Sequence, residues 1–377
     1  MVKQFLSILF VVFLCSSLKG QSQLERLKFS GDFRFRIEQD WNSRRSDGTY
    51  RDDKSRLRYR ARFGFTYQAN DWASFGIKIR TGYREKQQDP QLTIGDGFEE
   101  FGSVPVGFEE LYFRAKYKWL DTWVGKNDFP FEKQNELFWS DNVFPSGIYI
   151  GASFQLDQNW IDEIRLSTGH FILTSSNSTF ANDSYIQVLQ ATTKHWNNRL
   201  IIFPTFYFFN QMPDIPDGNE NYRFNYSIIH LGAKVLVMEN PDITIGLDLY
   251  KNIQNYKMND SIPESLQDQK KGLVTSLVYG SLKEKGDFIM GAYYSYLERY
   301  AAVDFLAQND WVRWDYSNQG SPDGRVTNFK GLEIVAGYRI NKSMTLKTRF
   351  FLVEQLVPYG IALENGDRIR LDLDITF

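Results

Sequence analysis

The segment Arg56-Leu-Arg-Tyr-Arg-Ala-Arg-Phe63 constrains the fold more than any other part of the chain. Arginine stands at positions 56, 58, 60 and 62, with Leu57, Tyr59, Ala61 and Phe63 between. A helix would spread those arginines around its axis, whereas a strand places all four on one face and the apolar residues on the other. Ser30-Gly-Asp-Phe-Arg-Phe-Arg-Ile37 and the closing Arg368-Ile-Arg-Leu-Asp-Leu-Asp-Ile-Thr-Phe377 alternate in the same way. The chain is therefore expected to be all-β, with strands whose two faces meet different surroundings.

Read along its length, the sequence predicts sixteen strands, near 29–39, 56–68, 72–82, 108–118, 121–127, 146–156, 161–170, 184–195, 198–208, 223–237, 241–252, 270–283, 285–298, 328–341, 343–354 and 368–377. Most are close to the ~9–11 residues that a tilted strand needs to cross a bilayer. The connections alternate in length. Short ones fall at 69–71, 119–120, 157–160, 196–197, 238–240, 284 and 341–342, and long ones at 40–55, 83–107, 128–145, 171–183, 209–222, 253–269, 299–327 and 355–367. Short turns on one side and long loops on the other mark a transmembrane, up-and-down antiparallel barrel. An even strand count returns both termini to the short-turn side. Trp72, Trp119, Trp123, Trp160 and Trp196 lie at or beside short turns, where an aromatic girdle would meet lipid headgroups. About sixteen strands enclose a lumen too wide for side chains to fill, so water is expected inside.

The N-terminus reads as an export signal: Lys3, an apolar run from Phe5 to Leu14, then Ser and Gly before Gln21. The expected division is 1–20 as signal peptide and 21–377 as barrel. Removing 1–20 takes away Lys3, Lys19 and the only Cys, and moves the formal net charge from −2 to −4. Disulfides and thiolate metal sites are then excluded, and the charge balance gives no reason to expect nucleic acid as a partner. No later run of 18 apolar residues exists, so no transmembrane helix is expected. The mean hydropathy of −0.42 fits a membrane barrel, because only alternate strand residues face lipid.

The polar face of the first four strands carries Arg34, Arg36, Arg56, Arg58, Arg60, Arg62, Lys78, Arg80, Arg114, Lys116 and Lys118, against the acids Asp32, Glu38 and Glu110. The last strands add Arg339, Lys347, Arg349, Arg368 and Arg370, against Asp372 and Asp374. In a closed barrel these strands are neighbours, which predicts one strongly basic arc of the lumen. An Arg or Lys facing lipid at the midplane costs about 2–4 kcal/mol, so the ladder must face water or fixed counter-charges. Two readings are open: spacers that keep the lumen wet and pair with loop acids, or an arc that attracts anionic solutes. The third long loop, 128–145, mixes Phe129, Phe131, Leu137, Phe138 and Trp139 with Asp128, Glu132, Glu136 and Asp141. Folding into the lumen would bury the former, set the latter against the basic arc and narrow the pore. The alternative is a lid packed on the outer rim.

Catalysis has little to work with. The only histidines are His170, His195 and His230, and none stands beside a nucleophile motif. Nor do they form a metal-ligand cluster, and no cofactor is implied. Asp214 to Glu220 would bind calcium weakly at most, and Gly95-Asp-Gly97 is a turn signal. Gln21 to Lys28 is too short for a plug. A structural or adhesive barrel without transport stays open, and an outer-membrane hydrolase is the rival from another class.

Two blocks resemble the putative porins of Gram-negative outer membranes. One is Arg56-Leu-Arg-Tyr-Arg-Ala-Arg-Phe-Gly64 with Gly76 and Gly82. The other is Trp123-Val-Gly-Lys-Asn-Asp-Phe-Pro130, followed by Leu137-Phe-Trp-Ser-Asp-Asn-Val-Phe-Pro-Ser-Gly147. The resemblance is best over 29–156 and elsewhere rests on strand rhythm. It implies a passive channel for small polar solutes, outer-membrane lipid as surroundings, and a homotrimer as one option. The terminal Phe377 resembles the signal read by the barrel-assembly machinery.

Overall fold

The protein is described by a computed structural model covering residues 25–83, 88–95, 101–156, 158, 160–213, 223–257, 259–311 and 327–377. The expected signal segment 1–20, Gly97 and the acidic stretch 214–220 lie outside them. The strands are β1 (Leu27–Arg44), β2 (Lys54–Gln68), β3 (Ala73–Thr81), β4 (Leu92–Thr93), β5 (Val106–Tyr117), β6 (Leu120–Lys126), β7 (Ser146–Gln155), β8 (Glu163–Thr174), β9 (Ser184–His195), β10 (Leu200–Pro213), β11 (Arg223–Glu239), β12 (Asp242–Asn252), β13 (Lys271–Gly280), β14 (Phe288–Leu297), β15 (Phe329–Arg339), β16 (Met344–Gln355) and β17 (Asn365–Thr376). Sixteen of them pair antiparallel with their neighbours around a ring, and β1 pairs with both β2 and β17, which closes the barrel. The seventeenth, β4, is a two-residue strand from the second long loop that bridges to β2 at Arg58 and Tyr59. Closure leaves no unpaired edge in the wall.

All sixteen expected strands are present, and their ends differ in instructive ways. β10 and β1 run about five residues past the expected ends toward the long loops, because ladder pairing continues after the two-faced alternation stops. β13 stops early, at Gly280. The turn that follows is held by the Asp287 carboxylate, which accepts the Lys283 and Glu284 amides at 3.0 and 2.8 Å. A side chain capping its own turn competes with the ladder.

Burial is inverted relative to a soluble sheet. Leu57, Phe63, Ile37, Leu166, Ile229 and Leu231 face outward and are half exposed. Arg36, Arg58, Arg60, Arg368 and Arg370 face the lumen and are at most 8% exposed. A contiguous apolar band of this extent around a closed wall suits hydrocarbon rather than water. Trp72, Trp119, Trp160 and Trp196 stand outward at the short-turn rim, as expected of a girdle. Trp123 does not: it shares the lumen face of β6, where it stacks on Tyr149 and Phe171 at 6.1 and 5.7 Å. Its outward neighbour is Val124, so strand parity overrides closeness to the turn.

Candidate functional site

The register places the arginine-rich segments side by side. Across β1 and β2, Arg34 lies opposite Arg60, Arg36 opposite Arg58, and Glu38 opposite Arg56. Across β1 and β17, Arg34 faces Asp374, Arg36 faces Asp372, Glu38 faces Arg370, and Asp40 faces Arg368. The second pairing interleaves acids with the bases. Arg36 grips Asp372 with two hydrogen bonds, at 2.6 and 3.1 Å, and Arg34 holds Asp374 in the same forked way. Arg368 donates to both oxygens of Asp40. Forked guanidinium–carboxylate pairs fix both planes and so keep the side chains extended along the wall.

The sequence tally of eleven bases against three acids therefore overstates the charge of the arc. Part of the correction is Glu109. Lys78 pairs with Glu110 and Ile79 with Phe108, so β5 has a bulge at 109 that turns both neighbouring acids inward. Glu109 is 1% exposed and takes hydrogen bonds from Arg62 at 2.7 and 3.0 Å, with Arg80 at 3.6 Å. The adjacent pair Glu109-Glu110 in an alternating strand was the available sign of that bulge. Three other expected arc members fall elsewhere. Arg114 bonds Asp121 at 2.8 Å on a different stretch of wall. Lys116 is exposed near the short-turn rim, and Lys118 lies past the end of β5, over the Tyr117 ring.

The third long loop folds into the lumen. Glu132 and Gln190 of β9 exchange hydrogen bonds at 2.8 and 3.0 Å, and Ser276 of β13 donates to Gln134 at 3.1 Å. Asn135 donates to Asp248 of β12, and Asn142 accepts from Arg62 of β2 at 3.0 Å. Phe138 stacks on Tyr250 at 4.9 Å, and Phe129 stacks on Trp139 at 4.2 Å. Gly246 matters for this path: a Cβ there would overlap the Gln134 amide. The loop acids do not all oppose the arc as the sequence suggested. Glu136 approaches Arg349 at 3.8 Å. Glu132 pairs with Lys234 on the far wall, Asp141 pairs with Lys133 of its own loop, and Asp128 faces a second cavity. Although Asp128 is exposed, desolvation by the surrounding protein raises its carboxyl above the usual range, against the pull of Lys78 and Arg114.

A further counter-charge comes from the seventh long loop, whose role the sequence reading missed. Its stretch from Tyr300 to Trp311 is buried inside the barrel. Trp311 stacks on Phe329, and the Leu306 carbonyl accepts the Ser140 amide of the third loop at 2.8 Å. Asp310 sits among Arg36, Arg349 and Arg368 at 3.8 to 3.9 Å and pairs directly with Arg370. Burial alone would raise this carboxyl, yet the four guanidiniums hold it well below the ordinary carboxylate range. Its sequence signal, Asn-Asp-Trp at 309–311, mixes acid and aromatic like the third loop. Asp89 of the second loop bonds Arg58 at 2.6 and 2.7 Å.

Between the arc and these loops lies a cavity of about 360 Å³ lined by ten basic, five acidic and four amide side chains. Arg34, Arg36, Arg56, Arg58, Arg60, Arg62, Arg368 and Arg370 are all among them. A second cavity of about 230 Å³, beside Arg114, Asp121, Asp128 and Glu132, lies under the start of the third loop. Of the histidines, only His230 faces the lumen interior. It bonds Asp248 at 2.7 Å, while its Nδ1 has no partner, so no Ser–His–Asp relay is assembled among the described residues.

Residues 48–199 match the family described as putative porin. Several solved structures share the fold at low identity. OprB of Pseudomonas putida is 14% identical with a TM-score of 0.57, over 94% of this chain and 96% of that one. OmpT of Vibrio cholerae lacking loop L8 is 8% identical with a TM-score of 0.53, over 93% and 99%. OmpF of Salmonella typhi is 13% identical with a TM-score of 0.51, over 93% and 97%. No curated protein sequence matches the chain.

Proposed function

We propose that this chain, which carries the putative porin family's sequence over residues 48–199, forms a passive aqueous channel for small polar solutes across the outer membrane. The observation that carries the reading is the inverted wall: an apolar band outside and a ladder of paired charges within. In this reading residues 1–20 direct export and are removed, and residues 21–377 form the barrel. A trimer, if formed, would bury part of the apolar band.

Anions are favoured, and modestly. The cavity beside the arc has twice as many bases as acids, but most of its guanidiniums already hold a carboxylate. Rings and arcs of Arg and Lys bias a pore toward anions in proportion to their unneutralised charge. Reconstitution of the purified protein in planar bilayers tests both parts. Stepwise conductance in KCl and an anion-selective reversal potential across a salt gradient are expected. A silent membrane would sink the channel, and a cation-selective potential would sink the preference alone. Swelling of liposomes in small sugars separates a channel from an adhesive barrel.

A further inference from the structure

We propose that the cavity beside Asp310 is a transit binding site for small polyhydroxylated anions of the sugar-acid type, with one carboxylate on a hydroxyl-bearing carbon chain. The inference rests on the channel reading and names the solute class of that pore.

The lining is unusual for a small-molecule site. Such sites are mostly apolar with a few placed polar groups. Here every lining side chain is charged or an amide, so little apolar surface is offered to a flat or greasy solute. The excess of bases calls for a negative charge. Asp310 shows what the wall accepts, since a carboxylate of the chain itself is already held by four guanidiniums of β1, β16 and β17.

Unmet hydrogen bonds define the rest of the ligand. Lys347 makes no ion pair with any described residue. Arg60 has one acid partner, Asp32, and its Nε has no acceptor. These donors ask for acceptor oxygens. On the loop side, Oε1 of Gln91 is buried without a donor. A buried acceptor left unmet forfeits its hydrogen bond to water, and a hydroxyl would satisfy it. A ligand that serves both sides needs anionic oxygens at one end and hydroxyls at the other. The volume of about 360 Å³ equals about a dozen water volumes, more than an inorganic oxyanion fills.

The test uses single channels of the full-length protein in planar bilayers. Potassium gluconate, sorbitol and inorganic phosphate are titrated in turn against the KCl conductance. Gluconate is expected to block about tenfold more tightly than sorbitol, the gain from one charge-assisted contact. Lys347→Gln should weaken gluconate block by about tenfold, and Lys347→Arg should restore it. Both variants are first checked for the heat-dependent gel shift of a folded barrel. Equal block by gluconate and sorbitol would overturn the charge requirement. Block by phosphate as strong as by gluconate would overturn the hydroxyl requirement. Unchanged gluconate block in folded K347Q would overturn the site. Conducting channels without gluconate block remove this inference alone, whereas absence of conductance removes the channel itself.

Discussion

At the scale of single residues, two loop carboxylates in the lumen behave oppositely on acidification. Asp310 is held well below the ordinary range, so its charge persists in acid that protonates most carboxylates. Asp128 is exposed at the second cavity, yet the surrounding protein desolvates it and raises it above the usual ~4. As pH falls, Asp128 therefore loses its charge first while the arginines keep theirs. Anion preference should rise in a step that begins above pH ~4, and Asp128→Asn should show the acidic value already at neutral pH. A reversal potential flat between neutral pH and pH ~4 in wild type would discard this order. Asp310→Asn should act at every pH. It removes one negative charge from the cavity, raises anion preference, and weakens loop docking by about 2 kcal/mol, the worth of a hydrogen bond to a charged group. Arg36, Arg349 and Arg368 keep Asp372, Glu333 and Asp40, so the barrel itself should form normally. Thermal unfolding of the purified variant checks that the loss is confined to the loop.

At the scale of elements, the lumen is shaped by loops rather than strands. Deleting 132–141 removes the bonds to β9, β12 and β13 and should raise single-channel conductance. It also frees the Leu306 carbonyl that Ser140 holds, so conductance should become noisier as the seventh loop loses its support. Conductance equal to wild type would mean that the third loop does not narrow the path. The strands were legible in the sequence because period 2 is written into most of each wall segment, and Arg56 to Arg62 allow no other reading. The fold of the third loop was legible because Phe131, Leu137 and Trp139 needed burial beside acids. Its partners were not. Whether Glu132 meets the arc or Lys234 depends on where the backbone crosses the lumen, and no local pattern records that. Glu109 was hidden by a bulge, which breaks the alternation that made the rest readable. Asp310 was hidden by distance, since its four partners lie in β1, β16 and β17.

At the scale of the whole molecule, the decisive contact joins the two ends of the chain. β1 pairs with β17 across more than 300 residues of sequence, from Asp32 with Thr376 to Arg44 with Asn365. Loop-closure entropy opposes such pairing, so it is expected to form after the sequential hairpins. Phe377 secures the seam. Its amide donates to the Gly31 carbonyl at 3.0 Å and its carbonyl accepts the Gly31 amide at 2.9 Å. The Phe377 ring covers Gly31 so closely that a Cβ there would lie 2.4 Å from the ring. Deleting Phe377 removes two backbone bonds and that cover, and leaves the forked pairs of Arg34 and Arg36 in place. Those pairs need the strands already aligned, whereas Phe377 acts at the rung beside Gly31, next to the short-turn rim. Refolding from urea into detergent micelles should therefore slow on loss of Phe377, while the barrel that does close should melt nearly as wild type. Arg36→Gln with Asp372→Asn should show the reverse, closing at the normal rate and melting earlier. If deletion of Phe377 left the rate of appearance of the folded gel band unchanged, seam closure would have to begin elsewhere along β1 and β17.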